Sequence, residues 1–146
     1  MTVIYFLKFV SKILYHCEAL SDAHFATMIA EAEKYLGYPY VWGGSRPSTS
    51  FDCSGFVCWV VNHSGWNLGR TSAQGLFNAC TPISRSNARP GDLIFFKGTY
   101  DTPGVSHVGI YVGNNRMIHC GNPISYTIIN TQYWQSHFYA FGRLPR

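Results

Sequence analysis

A short stretch of the chain, FDCSGF at residues 51–56, places an acid, a thiol, a hydroxyl and a glycine next to one another. A run of apolar residues, from Phe56 to Val61, follows directly. A cysteine that only fills a core needs no such polar neighbours, whereas a nucleophilic thiol depends on nearby groups that favour its thiolate and hold a substrate. These residue types therefore mark Cys53 as a candidate nucleophile.

The same stretch predicts the helix that would position the thiol. One face of this helix collects residues at helical spacing, namely Cys53, Phe56, Val57, Val60 and Val61. Cys53 falls in the first turn, where unpaired backbone N–H groups and the helix dipole carry partial positive charge. That charge favours a thiolate. The apolar face points the sulfur toward the element on which the helix packs, which we expect to be a sheet.

A thiol nucleophile needs a base, and His107 is the best placed of the six histidines because it begins a strand-like run. A second histidine, His119, lies across a hairpin predicted at residues 113–115. An odd-numbered loop centred on Gly113 would place the two histidines opposite each other on one face, whereas a two-residue loop would place them on opposite faces. In the first arrangement His119 can hold the His107 ring in one tautomer. In the second it is an ordinary strand residue.

The remaining pattern predicts which elements carry these residues. Helical periodicity and stop signals indicate helices at residues 22–36, from residue 53 to about 61, and at about 71–79. Runs rich in aromatic and β-branched residues indicate strands at residues 92–97, 107–113, 116–120 and 139–144. Helices that precede strands are typical of an α+β fold in which the helices pack on an antiparallel sheet.

Composition indicates a globular chain of 146 residues with 47% apolar and 12% charged residues. The net charge of +4 suits either a polyanionic partner or ordinary solubility, and the scattered arginines argue against nucleic-acid binding. From residue 37 onward the acidic residues are only Asp52, Asp92 and Asp101. A two-carboxylate glycosidase would have to use these, and no acidic cluster suits calcium or magnesium.

Cysteine usage argues against metal and redox functions. The chain has five cysteines at irregular spacing and no C-x-x-C pair, so a disulfide framework, a redox motif and a structural zinc site are all disfavoured. A zinc site built from Cys53, Cys58, His107, His119 and Cys120 would fit no known ligand spacing. We therefore expect no metal and no cofactor.

The first residues need a separate interpretation. Residues 3–15 are apolar, but Lys8 and Lys12 interrupt them, no positive charge precedes them and no small-residue cleavage site follows. The run is also too short to cross a bilayer. We predict a helical extension at residues 1–20 and a catalytic domain at residues 21–146, with no stable membrane insertion.

Five stretches together resemble the NlpC/P60 family of papain-like cysteine peptidases: GYPYVWGG, FDCSGFV, RPGDLIFF, HVGIYVGNNRMIH and YAFGRL. The resemblance covers about residues 22–146. It implies a papain-like α+β fold and a secreted or cell-wall-acting hydrolase of peptidoglycan stem peptides. Because no clear signal peptide is present, a cytoplasmic location or lysin-type release is the alternative. Such a hydrolase would cut after γ-D-glutamyl and before diaminopimelate or L-lysine. By position it implies Cys53 as nucleophile, His107 as base and His119 as the third polar residue.

The resemblance also implies substrate-binding residues. Tyr40 matches a tyrosine that lines the cleft, and Asp52 with Ser54 matches residues that grip the free amine of an N-terminal L-alanine in some members. Asp52 is equally well interpreted as a helix cap. Arg70 and Gln74 match a region that borders the cleft, although a solvated surface is the simpler interpretation.

Three other functions are alternatives to this interpretation of the sequence. A CHAP-type amidase would use the same cysteine and histidine, but its orienting residue is usually an acid and none follows Met117. Lipid acyltransferases of related fold place the histidine before the cysteine, which is not the order of this chain. A catalytically silent wall-binding module would not need Cys53, His107 and His119.

Overall fold

The computed structural model describes residues 23–145, so the predicted extension at residues 1–20 lies outside the described residues. Two hydrophobic layers enclose a central sheet. The helices are α1 (Ala23–Glu33), α2 (Cys53–Asn62), α3 (Ala73–Ala79) and α4 (Gln132–His137), and a short 3-10 helix spans Arg85–Asn87. Within residues 23–145 no helix is long and apolar enough to pass through a bilayer.

Two antiparallel sheets complete the architecture. The small one pairs β1 (Ser45–Arg46) with β2 (Ser50–Phe51). The strands of the large one are β3 (Thr81–Ile83), β4 (Leu93–Lys97), β5 (Val105–Gly113), β6 (Arg116–Cys120), β7 (Ile124–Ile128) and β8 (Phe138–Arg143). Their order across the sheet is β3-β8-β4-β5-β6-β7. The prediction of helices packed with an antiparallel sheet is confirmed.

Alternate residues of the strands divide the core into two layers. One layer joins α1, α2 and α3 to one face of the sheet, with members such as Phe56, Val57, Phe95 and Val108. The other layer lies on the opposite face around Phe96, with α4 packed against it through Trp134. The thiol-bearing helix α2 and the short helix α4 therefore cover opposite faces.

The β5–β6 hairpin differs from both arrangements considered above. Its loop has two residues, Asn114 and Asn115, each with a positive φ angle (52° and 55°). The register shifts between Tyr111 and Gly113, which leaves one extra residue on β5. Because the bulge offsets the even-numbered loop, His107 and His119 share a face after all. A centre at Gly113 was wrong, since the paired positions are Tyr111 with Met117 and Ile110 with Ile118.

The two short strands of the small sheet were not predicted, nor were two strands of the large sheet. β3 has three residues, including a proline, and forms one edge of the sheet, where a residue without an N–H is tolerated. β7 forms the other edge, and its residues are mostly half-buried. Helix α1 also ends earlier than predicted, at Glu33. Its next backbone N–H groups, from Lys34 to Leu36, bond to carbonyls three residues back.

Candidate active site

The first turn of α2 carries the thiol and is fixed by its cap. The carboxylate of Asp52 accepts a hydrogen bond from the Gly55 N–H at 2.7 Å, and its backbone carbonyl accepts one from the Phe56 N–H at 3.0 Å. The backbone N–H of Asp52 donates to the Gly44 carbonyl at 3.0 Å. The capping interpretation of Asp52 therefore describes its geometry, and Cys53 follows as the first helical residue.

A glycine at position 55 is required by a close backbone approach. A Cβ atom there would lie 2.0 Å from the carbonyl oxygen of Gly44, far inside van der Waals contact. The loop that contains Gly44 thus packs directly on the turn that carries the thiol. This contact explains the glycine of FDCSGF, which the sequence alone did not.

Cys53 lies against the backbone of β5 on both sides of His107. Its Sγ is 3.9 Å from the Ser106 carbonyl oxygen and accepts a hydrogen bond from the Val108 N–H. The β5–β6 ladder runs only as far as Ile110 and Ile118, whereas β5 itself continues to Val105. The thiol therefore occupies the edge that β5 exposes where the two strands separate.

Burial dominates the pKa of the thiol. Cys53 is 7% exposed, and burial, together with the neighbouring charge of Asp52, raises its pKa to about 11. Hydrogen bonds from the backbone of Val108 and Ser54 and the charge of Arg70 act in the opposite direction but are smaller. The expected stabilisation of a thiolate by the helix start is thus outweighed by desolvation, and the thiol is neutral at pH 7.

His107 and His119 form a buried chain of polar contacts that ends on β7. His107 Nε2 lies 2.8 Å from His119 Nδ1, and His119 Nε2 lies 2.8 Å from the Thr127 hydroxyl oxygen. Burial, with His119 beside it, lowers the pKa of His107 to about 3, and burial lowers that of His119 to about 4. Both rings are therefore neutral at physiological pH, and each can carry one N–H.

An indole covers both imidazoles. The Trp134 ring centroid is 5.4 Å from that of His107 and 5.3 Å from that of His119, and it meets His119 edge-on. Trp134 belongs to α4, whose start is capped by the Thr131 side chain. Neither α4 nor Thr127 was singled out in the sequence. Two signals in the sequence could have indicated them. The alternation of ISYTI is typical of the strand that carries Thr127, and a threonine before Tyr133 and Trp134 can cap a helix.

The guanidinium of Arg70 links the side chains of Asp52 and Ser54, which flank the thiol in sequence. Arg70 Nη2 donates to both carboxylate oxygens of Asp52, each at 2.9 Å, and Nη1 donates to the Ser54 hydroxyl at 2.8 Å. The Gly43 N–H donates to the same carboxylate at 3.1 Å. Arg70 is an exposed residue whose guanidinium is nevertheless paired, and the carboxylate of Asp52 already has several donors before any substrate arrives.

A cavity of about 550 Å³ opens over the thiol and brings together six of the eight candidate residues, Tyr40, Asp52, Cys53, Ser54, Arg70 and Gln74. Burial and the neighbouring Cys53 raise the pKa of the Tyr40 phenol, so it stays a hydroxyl donor. The cavity rim carries Trp42, which is 71% exposed and meets Tyr100 edge-on at 5.4 Å. Trp42 is thus a wall of the cavity and not a core residue.

The remaining two candidates, His107 and His119, lie behind the cavity on the opposite face of the sheet, beside Phe96 and Trp134. Among residues 23–145, no group of three or more His, Cys, Asp or Glu side chains is arranged to hold a metal ion. Cys53 and His107 thus both lie against β5, the thiol at its backbone edge and the imidazole on the face toward Trp134.

Comparison with known proteins places the chain in a family. The sequence model of the NlpC/P60 family matches residues 37–143. The chain is 47% identical over 121 residues to the bifunctional muramidase/DL-endopeptidase CwlT of Bacillus subtilis, covering 82% of this chain and 36% of that protein. It is 43% identical over 119 residues to a gamma-DL-glutamyl hydrolase of the same organism, covering 80% of this chain and 28% of that protein.

Solved structures agree with this assignment. An NLP/P60 family protein similar to a lipoprotein, from Staphylococcus aureus subsp. aureus Mu50, superimposes with a TM-score of 0.82 and 44% identity. The match covers 86% of this chain and 42% of that one. The chain thus spans well under half the length of these relatives. On the extent of the family match and the level of identity, the chain belongs to the NlpC/P60 family.

Proposed function

We propose that the chain is a cysteine endopeptidase that hydrolyses the stem peptides of bacterial peptidoglycan. The bond cut is the one between γ-D-glutamate and the third residue, diaminopimelate or L-lysine. One observation carries the proposal: Cys53 starts a capped helix at the floor of a cavity and lies against the strand that bears His107. The relatives named DL-endopeptidase and gamma-DL-glutamyl hydrolase support the choice of bond.

The proposed reaction starts from a neutral thiol and a neutral imidazole. Cys53 Sγ gives its proton to His107 at the edge where β5 and β6 separate, and the sulfur attacks the γ-glutamyl carbonyl carbon. His107 then returns the proton to the leaving amine, and water hydrolyses the thioester with His107 again as base.

We propose two donors for the oxyanion of the tetrahedral intermediate. The Cys53 N–H is at the first helical position, where no preceding turn supplies a carbonyl partner. Tyr40 lines the same cavity, and its hydroxyl remains protonated because its pKa is raised. Loss of one such donor typically costs about 2.7–4 kcal/mol of transition-state stabilisation.

We propose that Asp52, Ser54 and Arg70 form the cavity wall that holds the substrate. Because Arg70 already neutralises Asp52, a free ammonium on the peptide would have to displace the guanidinium from its bidentate contact. The wall therefore offers hydroxyl and guanidinium donors as well as carboxylate oxygens. This arrangement favours a polar, partly anionic segment of the stem peptide over a cationic one.

The decisive experiment is digestion of purified muropeptides followed by mass spectrometry of the products. We expect a fragment that ends in γ-D-glutamate and a fragment that begins with the third residue. Cys53→Ala should abolish both products, and Cys80→Ala, which removes a cysteine outside the cavity, should not. A Cys53→Ala protein that still cleaves would overturn the proposal. Release of the whole stem peptide from the glycan would instead identify an amidase, and binding without cleavage a silent module.

This substrate implies a place of action. We propose that residues 21–146 form the catalytic domain, preceded by the extension at residues 1–20, and that the enzyme acts at the cell wall. Fractionation of producing cells with an antibody against the chain would test this. A signal confined to the cytoplasmic fraction would contradict it.

A further inference from the structure

The polar chain that begins at His107 ends at a hydroxyl for which neither the proposed mechanism nor the resemblance supplies a role. Thr127 lies on β7, and its Oγ1 is 2.8 Å from His119 Nε2 and 3.3 Å from the Ser125 hydroxyl oxygen. His107 and His119 are 9% and 5% exposed, so water does not readily replace these contacts. Three adjacent strands thus contribute one residue each to a continuous hydrogen-bonded chain.

Only one direction of hydrogen bonding through this chain suits catalysis. His107 Nε2 is engaged by His119 Nδ1, so Nδ1 of His107 is the nitrogen left to receive the thiol proton. Because a neutral imidazole carries one N–H, an unprotonated Nδ1 requires the proton on Nε2, which then donates to His119. His119 Nδ1 must accept, so His119 carries its own proton on Nε2 and needs an acceptor there.

The opposite direction would disable the base. If the Thr127 hydroxyl donated to His119 Nε2, the His119 proton would lie on Nδ1 and point at His107 Nε2. His107 would then hold its proton on Nδ1, where the thiol proton has to go. The choice between these two states therefore depends on whether the Thr127 oxygen accepts or donates.

We propose that Thr127 is a positioning residue that sets the tautomers of both histidines. Its hydroxyl proton is directed to Ser125, its oxygen accepts the Nε2 proton of His119, and His107 is thereby held with Nδ1 free. A valine at this position keeps the shape but removes the acceptor. It leaves a buried N–H unpaired and so favours the inactive tautomers. The inference rests on the proposed function for its catalytic consequence, but the tautomers can be measured without activity.

The test compares Thr127→Val with Thr127→Ser and with Thr81→Val, a control on the opposite edge strand. We expect Thr127→Val to lower kcat about five- to ten-fold at unchanged KM, the effect of one neutral hydrogen bond. Thr127→Ser should restore kcat to within about two-fold of the original protein, and Thr81→Val should not change it. Thermal unfolding of each variant checks that the fold is retained.

Long-range ¹H–¹⁵N NMR of the imidazole nitrogens provides the second readout, which a merely structural role would not change. In the unaltered protein both rings should be protonated on Nε2, and in Thr127→Val a population protonated on Nδ1 should appear. A His107 ring protonated on Nδ1 in the unaltered protein would overturn the inference, as would a Thr127→Val protein with unchanged kcat. If the unaltered protein cleaves no muropeptide, the proposed function fails, while the NMR result still decides the role of Thr127.

Discussion

Cys53 is subject to two opposing effects at the scale of the single residue. The start of α2 supplies partial positive charge, which favours the thiolate, but burial and the adjacent Asp52 favour the thiol. The pKa is raised, so burial is the larger effect. The sequence indicated the first effect because helical position can be read from spacing. It could not indicate the second, because burial depends on which elements cover the sulfur.

This balance predicts the pH dependence of alkylation. A thiol with a raised pKa should react with iodoacetamide at a rate that increases with pH throughout the range from 5 to 9, because the thiolate fraction keeps increasing. Mass spectrometry of the Cys53 peptide would measure the rate, and the peptide alone, unfolded, serves as the control with an ordinary pKa. A constant rate between pH 5 and 8 would indicate a preformed thiolate–imidazolium pair and contradict the expectation.

At the scale of elements, the sequence predicted the helix of Cys53, the strand of His107 and the α+β arrangement, because each depends on local periodicity. The register of the β5–β6 hairpin was not predictable, since one bulged residue restores the shared face that the two-residue loop would have removed. The contact between the Gly44 loop and α2 was also not predictable, because it is a close approach of backbone atoms that no side-chain pattern in the sequence indicates. Thr127 was missed because its edge strand was missed.

The contact between the Gly44 loop and the first turn of α2 predicts that an added methyl group at position 55 is destabilising. Gly55→Ala places Cβ 2.0 Å from a backbone oxygen, so the loop has to move, and we expect a loss of about 1–3 kcal/mol in unfolding free energy with most of the activity. Gly75→Ala is the matched control. Its Cβ would approach the Thr71 hydroxyl at 1.9 Å, and that side chain can rotate away. Urea unfolding would compare them, and equal losses in the two variants would contradict the explanation.

A substitution at the cavity rim should weaken substrate binding without lowering the stability of the fold. Trp42 is 71% exposed and contacts Tyr100 at the cavity, so Trp42→Ala removes little buried surface. We expect a several-fold increase in KM for muropeptides with kcat and the unfolding temperature nearly unchanged. Tyr139→Ala, an exposed aromatic residue outside the cavity lining, is the control. A Trp42→Ala protein with an unchanged KM would show that the rim does not contact substrate.

At the scale of the whole molecule, the fold buries two uncharged imidazoles, His107 and His119, beside a second core layer. The sheet separates this layer from the cavity, and Trp134 closes it from the other side. Because burial lowers its pKa, His107 stays uncharged at any pH near neutrality. The burial of both rings also links the stability of the whole fold to two groups that gain protons readily once the chain unfolds.

This linkage predicts loss of stability in mild acid. The unfolded histidines bind protons below a pKa of about 6.5, whereas the folded rings do so only near 3 for His107 and 4 for His119. Between these values the unfolded chain binds more protons, so unfolding free energy falls as pH falls, by roughly 2 kcal/mol per histidine between pH 8 and pH 5. Urea unfolding at several pH values would measure the slope. His119→Asn should flatten it by about half, whereas His63→Asn, which alters an exposed histidine, should not. If His119→Asn left the pH dependence of the unfolding free energy unchanged, the two buried histidines would not be its source.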